Sequence, residues 1–345
     1  MHKLIWGLFI AVLLTACGDP SSNTETDEQS FITLYTHRHY DTDKVIFEEF
    51  TKKTGIEVKV VKANADELIQ KMVSEGEQSP ADLLITVDAG RLVRAKDKDL
   101  LQAVQSDVLE QLVPVHLRDS AKNWFALTKR ARVVVYDKNK VDPAELSTYE
   151  ALTDAKWKGK ILIRSSGNIY NQSLMASIIA NNGAEKAEAW AAGMIENFAR
   201  APKGNDRDQV KGIAAQDGEL AIINTYYLGR MLNSEDAMEK KAGESVGIFF
   251  PNQEDRGTHI NISGIGLAKY APNKENAVKF MEYLVSEEVQ EKFANANYEY
   301  PVNPKAKSSA LLQSWGTFKE DQLPLSKLGE LNKSAVVVFD KAGWE

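Results

Sequence analysis

Three short apolar runs in the first third of the chain, each followed by a segment of helical period, limit the fold more than any other feature. Phe31 to Thr36 (FITLYT), Ile56 to Val61 (IEVKVV) and Asp82 to Val87 (DLLITV) have the length and side chains of strands. After the first, Asp41-Thr42-Asp43 offers N-cap chemistry for a helix over Lys44 to Lys53, with Gly55 as its stop. A second helix is predicted over Asp66 to Glu75, where Leu68 and Met72 sit one turn apart, and a third over Asp88 to Lys98. A βαβαβα order implies a mainly parallel sheet with helices on both faces.

A second series comes next. Ala131 to Tyr136 and Ile161 to Ile163 read as strands, then helices over Asn171 to Asn182 and Ala184 to Phe198, and further strands at Leu220 to Ile223 and Val246 to Phe250. The stretch Gly257 to Ala268 is a glycine-rich apolar strand, followed by helices over Lys274 to Val285 and Glu287 to Ala296 and by a mixed, helix-prone segment from Ser308 onward. With 345 residues there is room for two domains. The two series have no flexible linker between them. Two lobes joined by extended crossings near 125–130 and 258–263 are therefore expected, and such crossings make hinges.

Charge excludes one class of partner. A formal net charge of -7 argues against a nucleic-acid partner. The single cysteine excludes a disulfide framework and a zinc ribbon. Its position is informative. A short basic start, an apolar run from Leu4 to Leu14 and the small residues before Cys17 have the form of a secretory signal peptide over residues 1–16. The run is too short to span a bilayer as a helix. Leu14-Thr15-Ala16-Cys17 resembles the bacterial lipobox, which implies a lipidated Cys17, a membrane anchor that does not span, and an extracytoplasmic or periplasmic location. Gly18 to Gln29 is polar, acidic and free of aromatics, and reads as a tether.

The candidate site lies where strands end, because ligands of open α/β sheets gather there. His39, Tyr40, Asp88, Arg130, Tyr170, Tyr226, Tyr227 and Arg230 all fall at such ends. Four of these are tyrosines. Phenol titrates near pH 10, so a buried tyrosine is normally neutral, but metal ligands deprotonate to bind. Fe(III) is a hard trivalent ion that favours anionic oxygen, and several phenolates balance its charge as neutral histidines cannot. Zinc is poorly supported: His37-x-His39 has no cysteine partners after processing and no HExxH pairing. Asp41-Thr42-Asp43 is too short for an oxygen-rich calcium loop. There is no nucleophile elbow and no phosphate-cradling glycine motif, so nothing positive supports an enzyme. Ser165-Ser166-Gly167, just before a helix, suits either an anion or plain N-capping.

The segments YTHRHYDTD (35–43), SPADLLITVDAGRL (79–92), TKRARVVVYDK (128–138), GNIYNQSLMAS (167–177), NTYYLGR (224–230) and RGTHINISG (256–264) together resemble the bacterial ferric-iron-binding proteins, the substrate-binding subunits of iron ABC importers, in their tyrosine-rich class. The resemblance runs over most of the chain. It implies a type II two-lobe periplasmic-binding-protein fold, with an N-terminal lobe of residues 31–127 and 258–305, a C-terminal lobe of 128–257, and the segment 306–345 packed on both. It implies Fe(III) held in the cleft by Tyr40, Tyr170, Tyr226 and Tyr227, with His39 completing the sphere and Arg130 and Arg230 behind the ligands. It allows a synergistic anion such as carbonate, and leaves Asp88 between a ligand's role and the capping of the helix at Ala89. The partners it implies are an ABC permease and its ATPase, and a monomer is expected. The alternative on the same fold is a binding protein for a small organic solute such as a polyamine, sugar or organophosphate.

Overall fold

The structure, a computed structural model, describes residues 30–38 and 40–345. The signal peptide, Cys17 and the tether, together with His39, lie outside the described residues. In chain order the first part contains β1 (Phe31–Thr36), α1 (Asp41–Thr54), β2 (Glu57–Lys62), α2 (Ala65–Glu75), β3 (Leu83–Val87), α3 (Ala89–Asp97), β4 (Leu101–Gln102) and α4 (Asp107–Leu112). The middle contains β5 (Trp124–Asp137), β6 (Ile161–Leu162), α5 (Ile169–Asn182), α6 (Ala184–Glu196), α7 (Asp206–Ala214), β7 (Leu220–Asn224), α8 (Thr225–Leu232), α9 (Ala237–Ser245) and β8 (Val246–Phe249). The last part contains β9 (Ile260–Ala268), α10 (Lys274–Leu284), α11 (Glu287–Asn297), β10 (Tyr300–Pro301), α12 (Ala310–Ser314), α13 (Ser326–Glu330) and α14 (Asn332–Ala342).

The predicted strands form a continuous path in the order β2-β1-β3-β9-β5-β7-β6. Its outer pairs, β1 with β2 and β3 and β6 with β7, are parallel, as crossover helices require. Its centre is antiparallel, because β9 and β5 run between the two halves and pair with each other. The expected crossing near 125–130 and the strand at 131–136 are one element, β5. Its first part, Trp124 to Ala131, pairs with β9, and its second, Arg132 to Tyr136, pairs with β7. Lys129, Arg130 and Arg132 interrupt the apolar pattern, yet both arginines are buried. Their charge hid the continuity of the strand. With this topology the chain is a mixed α/β protein of two halves bridged by long strands.

Cores form on both sides of the bridge. Phe50 packs edge-on against Phe280 with ring centroids 4.9 Å apart, fixing α1 and α10 on the first half. Trp344, past the end of α14, packs on Trp190 and Phe198 of the second. The segment between them touches both halves. Thr258 forms a bridge with Glu320, and α13 packs against α3 and α5. Among the described residues no helix is long and apolar enough to cross a membrane.

Two caps differ from expectation. Helix α1 begins at Asp41, with Tyr40 at its N-cap and no side-chain cap bond. Asp43 instead turns inward to Arg38, 2.9 Å from its Nε, since a buried guanidinium gains more from a carboxylate than a helix start does. Helix α5 is capped by Asn168 rather than by the serines, its side chain accepting from the Tyr170 N–H at 3.1 Å. Gly55 does end α1, in the left-handed conformation at φ 74.

Candidate functional site

Three helix starts deliver the four tyrosines. Tyr40 stands between β1 and α1, Tyr170 is the second residue of α5, and Tyr226 and Tyr227 lie in the first turn of α8, directly after β7. Strand β7 ends at Asn224, before the tyrosine pair, and α8 begins at the next residue. On a helix neighbouring side chains diverge by about 100°. The two rings nevertheless stack, with centroids 4.3 Å apart and planes at 30°. The hydroxyls of Tyr170 and Tyr226 meet at 3.2 Å.

Guanidinium groups surround these rings. Arg230, exposed on α8, sits with Cζ 5.2 Å from the Tyr40 ring centre, while Arg38 lies 4.7 Å from it. The Tyr170 ring has Arg130 and Arg164 each at 5.5 Å and Arg132 at 5.9 Å. Arg130 is the most telling. It is 1 % exposed, and none of its three guanidinium nitrogens has a hydrogen-bond partner among the described residues. An unpaired buried cation is costly, so the site is built to receive negative charge.

Burial holds three of these phenols, Tyr40, Tyr170 and Tyr226, in the protonated form. Burial pushes Tyr226 well above its ordinary value, and the phenols of Tyr170, Tyr40 and Tyr227 add to the effect, with Arg130 opposing. Tyr170 is raised by burial and then by Tyr227, against Arg130 and the hydrogen bond it shares with Tyr226. Tyr40 is raised by burial and then by Glu299, against Arg38. Tyr40 also feels Tyr170 and Tyr227, so the electrostatic coupling spans all four tyrosines. A cluster of this kind ionises only when a strong Lewis acid replaces the protons. Among the described residues no three His, Cys, Asp or Glu side chains gather in a metal-holding group.

Asp88 does not join the phenols. Its Oδ1 accepts from the Gly90 N–H at 2.9 Å, capping α3, and its Oδ2 accepts from Ser173 at 2.7 Å and Asn261 at 2.8 Å. Burial raises its pKa, with Arg130 opposing. Its backbone is held at φ 86, a strained position for a non-glycine residue. The Ser165–Gly167 turn satisfies itself in part: Ser165 Oγ accepts from the Gly167 N–H, and the Ser166 N–H donates to the Glu345 carbonyl.

Sequence reasoning missed the supporting ions. Arg38 is held by Asp43 and by Glu299, at 3.1 Å, and lies directly over the Tyr40 ring. Asp206 holds Arg132 at 2.8 Å and Arg164 at 3.1 Å beneath Tyr170. Arg38, between two histidines, stands inside a motif that the sequence singles out. Glu299 and Asp206 carry no local signal, because their partners lie far away in the chain.

Residues 46–320 match the family model described as bacterial extracellular solute-binding protein. The chain belongs to that family. As a member it is a binding protein rather than an enzyme. Among this solute-binding protein's relatives, iron uptake protein A1 of Synechocystis sp. is 49% identical over 337 residues, covering 96% of this chain and 93% of the relative. The major ferric iron-binding protein of Neisseria meningitidis is 28% identical over 317 residues, 90% of this chain and 89% of its own. Among solved structures, a Trichodesmium protein (IdiA, FutA) in complex with iron and citrate ligands is 50% identical, with a TM-score of 0.89 over 92% of this chain and 100% of that one. The ferric binding protein of Campylobacter jejuni has a TM-score of 0.86 at 46% identity, over 91% of this chain and all of that one. The two-lobe fold of such proteins is the fold of this chain.

Proposed function

We propose that this solute-binding protein captures Fe(III) between its lobes through the phenolates of Tyr40, Tyr170, Tyr226 and Tyr227, with His39 completing the sphere, and delivers it to an ABC permease. The meeting of the Tyr170 and Tyr226 hydroxyls beside the unpartnered Arg130 carries this reading. Fe(III) displaces the phenolic protons, and the guanidiniums of Arg130 and Arg230 offset the negative charge left on the ligand oxygens. Relatives named for iron uptake and ferric binding at similar length support the same cargo. An added anion such as carbonate is not required, since four phenolates already exceed three positive charges.

In this reading residues 31–127 and 258–305 form one lobe and 128–257 the other, joined through β5 and β9. Tyr40 belongs to the first and the remaining tyrosines to the second. Iron bonded to both favours the closed form by its greater affinity for it. The protein acts outside the cytoplasm as a monomer, held to a membrane through lipidated Cys17.

Titration of the soluble protein with ferric citrate tests this. A broad visible phenolate-to-iron band saturating at one iron per chain is expected, weakening stepwise in Tyr226→Phe and Tyr227→Phe. A colourless protein at saturation would refute tyrosinate capture.

A further inference from the structure

Beneath the tyrosines one carboxylate ties together parts of the chain that are distant in sequence. Asp206, fully buried at the start of α7, receives Arg132 Nη1 at 2.8 Å, Arg164 Nη1 at 3.1 Å and the backbone N–H of Asn224 at 2.9 Å. Each bond leads to a tyrosine. Asn224 stands at the N-cap of the helix carrying Tyr226 and Tyr227. Arg132 reaches on through Nη2 to Asn171 Oδ1 at 2.7 Å, next to Tyr170. Asn171 in turn donates to the carbonyls of Arg164 and Ser165, closing the ring. Arg132 and Arg164 both face the Tyr170 ring.

The charge count is uneven. Two guanidiniums share one carboxylate, so this group leaves about one positive charge behind Tyr170, in addition to that of Arg130. The half-buried cation Arg164 responds to this: burial works against its charge, while Asp206 and then the phenols of Tyr227 and Tyr170 favour it.

We propose that Asp206 is a positioning residue that holds Tyr170 and the Tyr226–Tyr227 pair as one ligand set and, by cancelling one of the two guanidinium charges behind them, biases the site toward Fe(III) over Fe(II). This rests on the tyrosinate reading above. A negative charge near the metal favours the more highly charged ion, and a positive charge the less. Removing Asp206 therefore lowers Fe(III) preference, whereas removing Arg164 raises it.

The experiment compares Asp206→Asn, Arg164→Gln and the double variant with the natural protein. Fe(III) affinity is measured by citrate competition, and Fe(II) affinity anaerobically by competition with a colorimetric chelator. The ratio of Fe(III) to Fe(II) affinity should fall about tenfold in D206N, rise by a similar factor in R164Q and return toward the natural value in the double variant. If D206N does not fold, R164Q alone decides, because a fall or no change in its ratio overturns the proposal. Two single variants moving the ratio in the same direction, as a purely scaffolding role would give, also overturn it. A natural protein lacking the visible band sinks the tyrosinate reading and this one with it. A normal band with the wrong pattern of ratios sinks this one alone.

Discussion

Replacing His259 by glutamine should remove a specific part of the acid sensitivity of this fold. His259 is buried just before β9, its N–H donating to the Tyr149 hydroxyl and its carbonyl accepting from the Arg132 N–H. Burial, followed by the nearby charges of Arg132, Arg130 and Arg256, lowers its pKa from 6.5 to about 3. The folded state thus keeps it neutral while the unfolded chain takes up a proton below about pH 6.5. Between the two values the unfolded state binds more protons, so stability is lost as pH falls. With the folded value at about 3, the loss from this one group is about 2 kcal/mol at pH 5 and about 3 kcal/mol at pH 4, relative to neutral pH. Urea unfolding of the natural protein and His259→Gln at pH 7, 5 and 4 measures it. The substitution has its own packing cost, independent of pH. The stability difference between the two proteins should therefore shift in favour of the variant by about 2 kcal/mol from pH 7 to 5. A difference constant across pH would refute the buried neutral imidazole.

Arg38→Met leaves Asp43 and Glu299 buried without their cation, and should cost about 3–5 kcal/mol in urea unfolding. It should also move iron loading to higher pH, since Glu299 then faces Tyr40 unopposed. Gly229→Ala would place a methyl 2.5 Å from the Tyr298 Cβ on the opposite lobe of the proposed division, and should lower Fe(III) affinity at least about tenfold in citrate competition. Its urea midpoint without iron should change far less, because the clash bears mainly on closure. With Tyr40, Tyr170 and Tyr226 all raised, Fe(III) must displace their protons, so affinity should fall by roughly two to three powers of ten for each pH unit of acidification. A pH-independent affinity between 6 and 8 would contradict phenolate binding.

Much of the fold was legible because its outer strands are apolar runs bounded by turn residues. Phe31–Thr36 and Leu83–Val87 stand within a residue of expectation. The helices after each strand could be read from apolar residues one turn apart. The features that escaped are non-local. The unity of β5 depends on partners far off in sequence that neutralise Arg132 and pack around Arg130, and no window around residue 130 contains them. Helix α8 was hidden because Asn224-Thr225 reads as the end of a strand while the Tyr226–Tyr227 ring pair reads as a loop. The clustering of tyrosines at strand ends could be read from order alone. The ions that orient them could not: Asp206 and Glu299 look like ordinary surface acids until the topology brings Arg132, Arg164 and Arg38 to them. Asp43 shows a different error: it reads as a helix cap, yet it serves Arg38, five residues before it.

The late arrival of β9 sets the order in which this chain can be assembled. Strand β3 waits for a partner, Leu83 opposite Leu267, that is synthesised more than half the chain later. Until then the β1–β3 sheet has a bare edge, whereas the β6–β7 pairing and its helices are complete with residues already made. Closing such a long loop is slow, because its entropy is lost before any contact repays it. The first half therefore stays incomplete until β9, which ends at Ala268 of 345 residues, has been made.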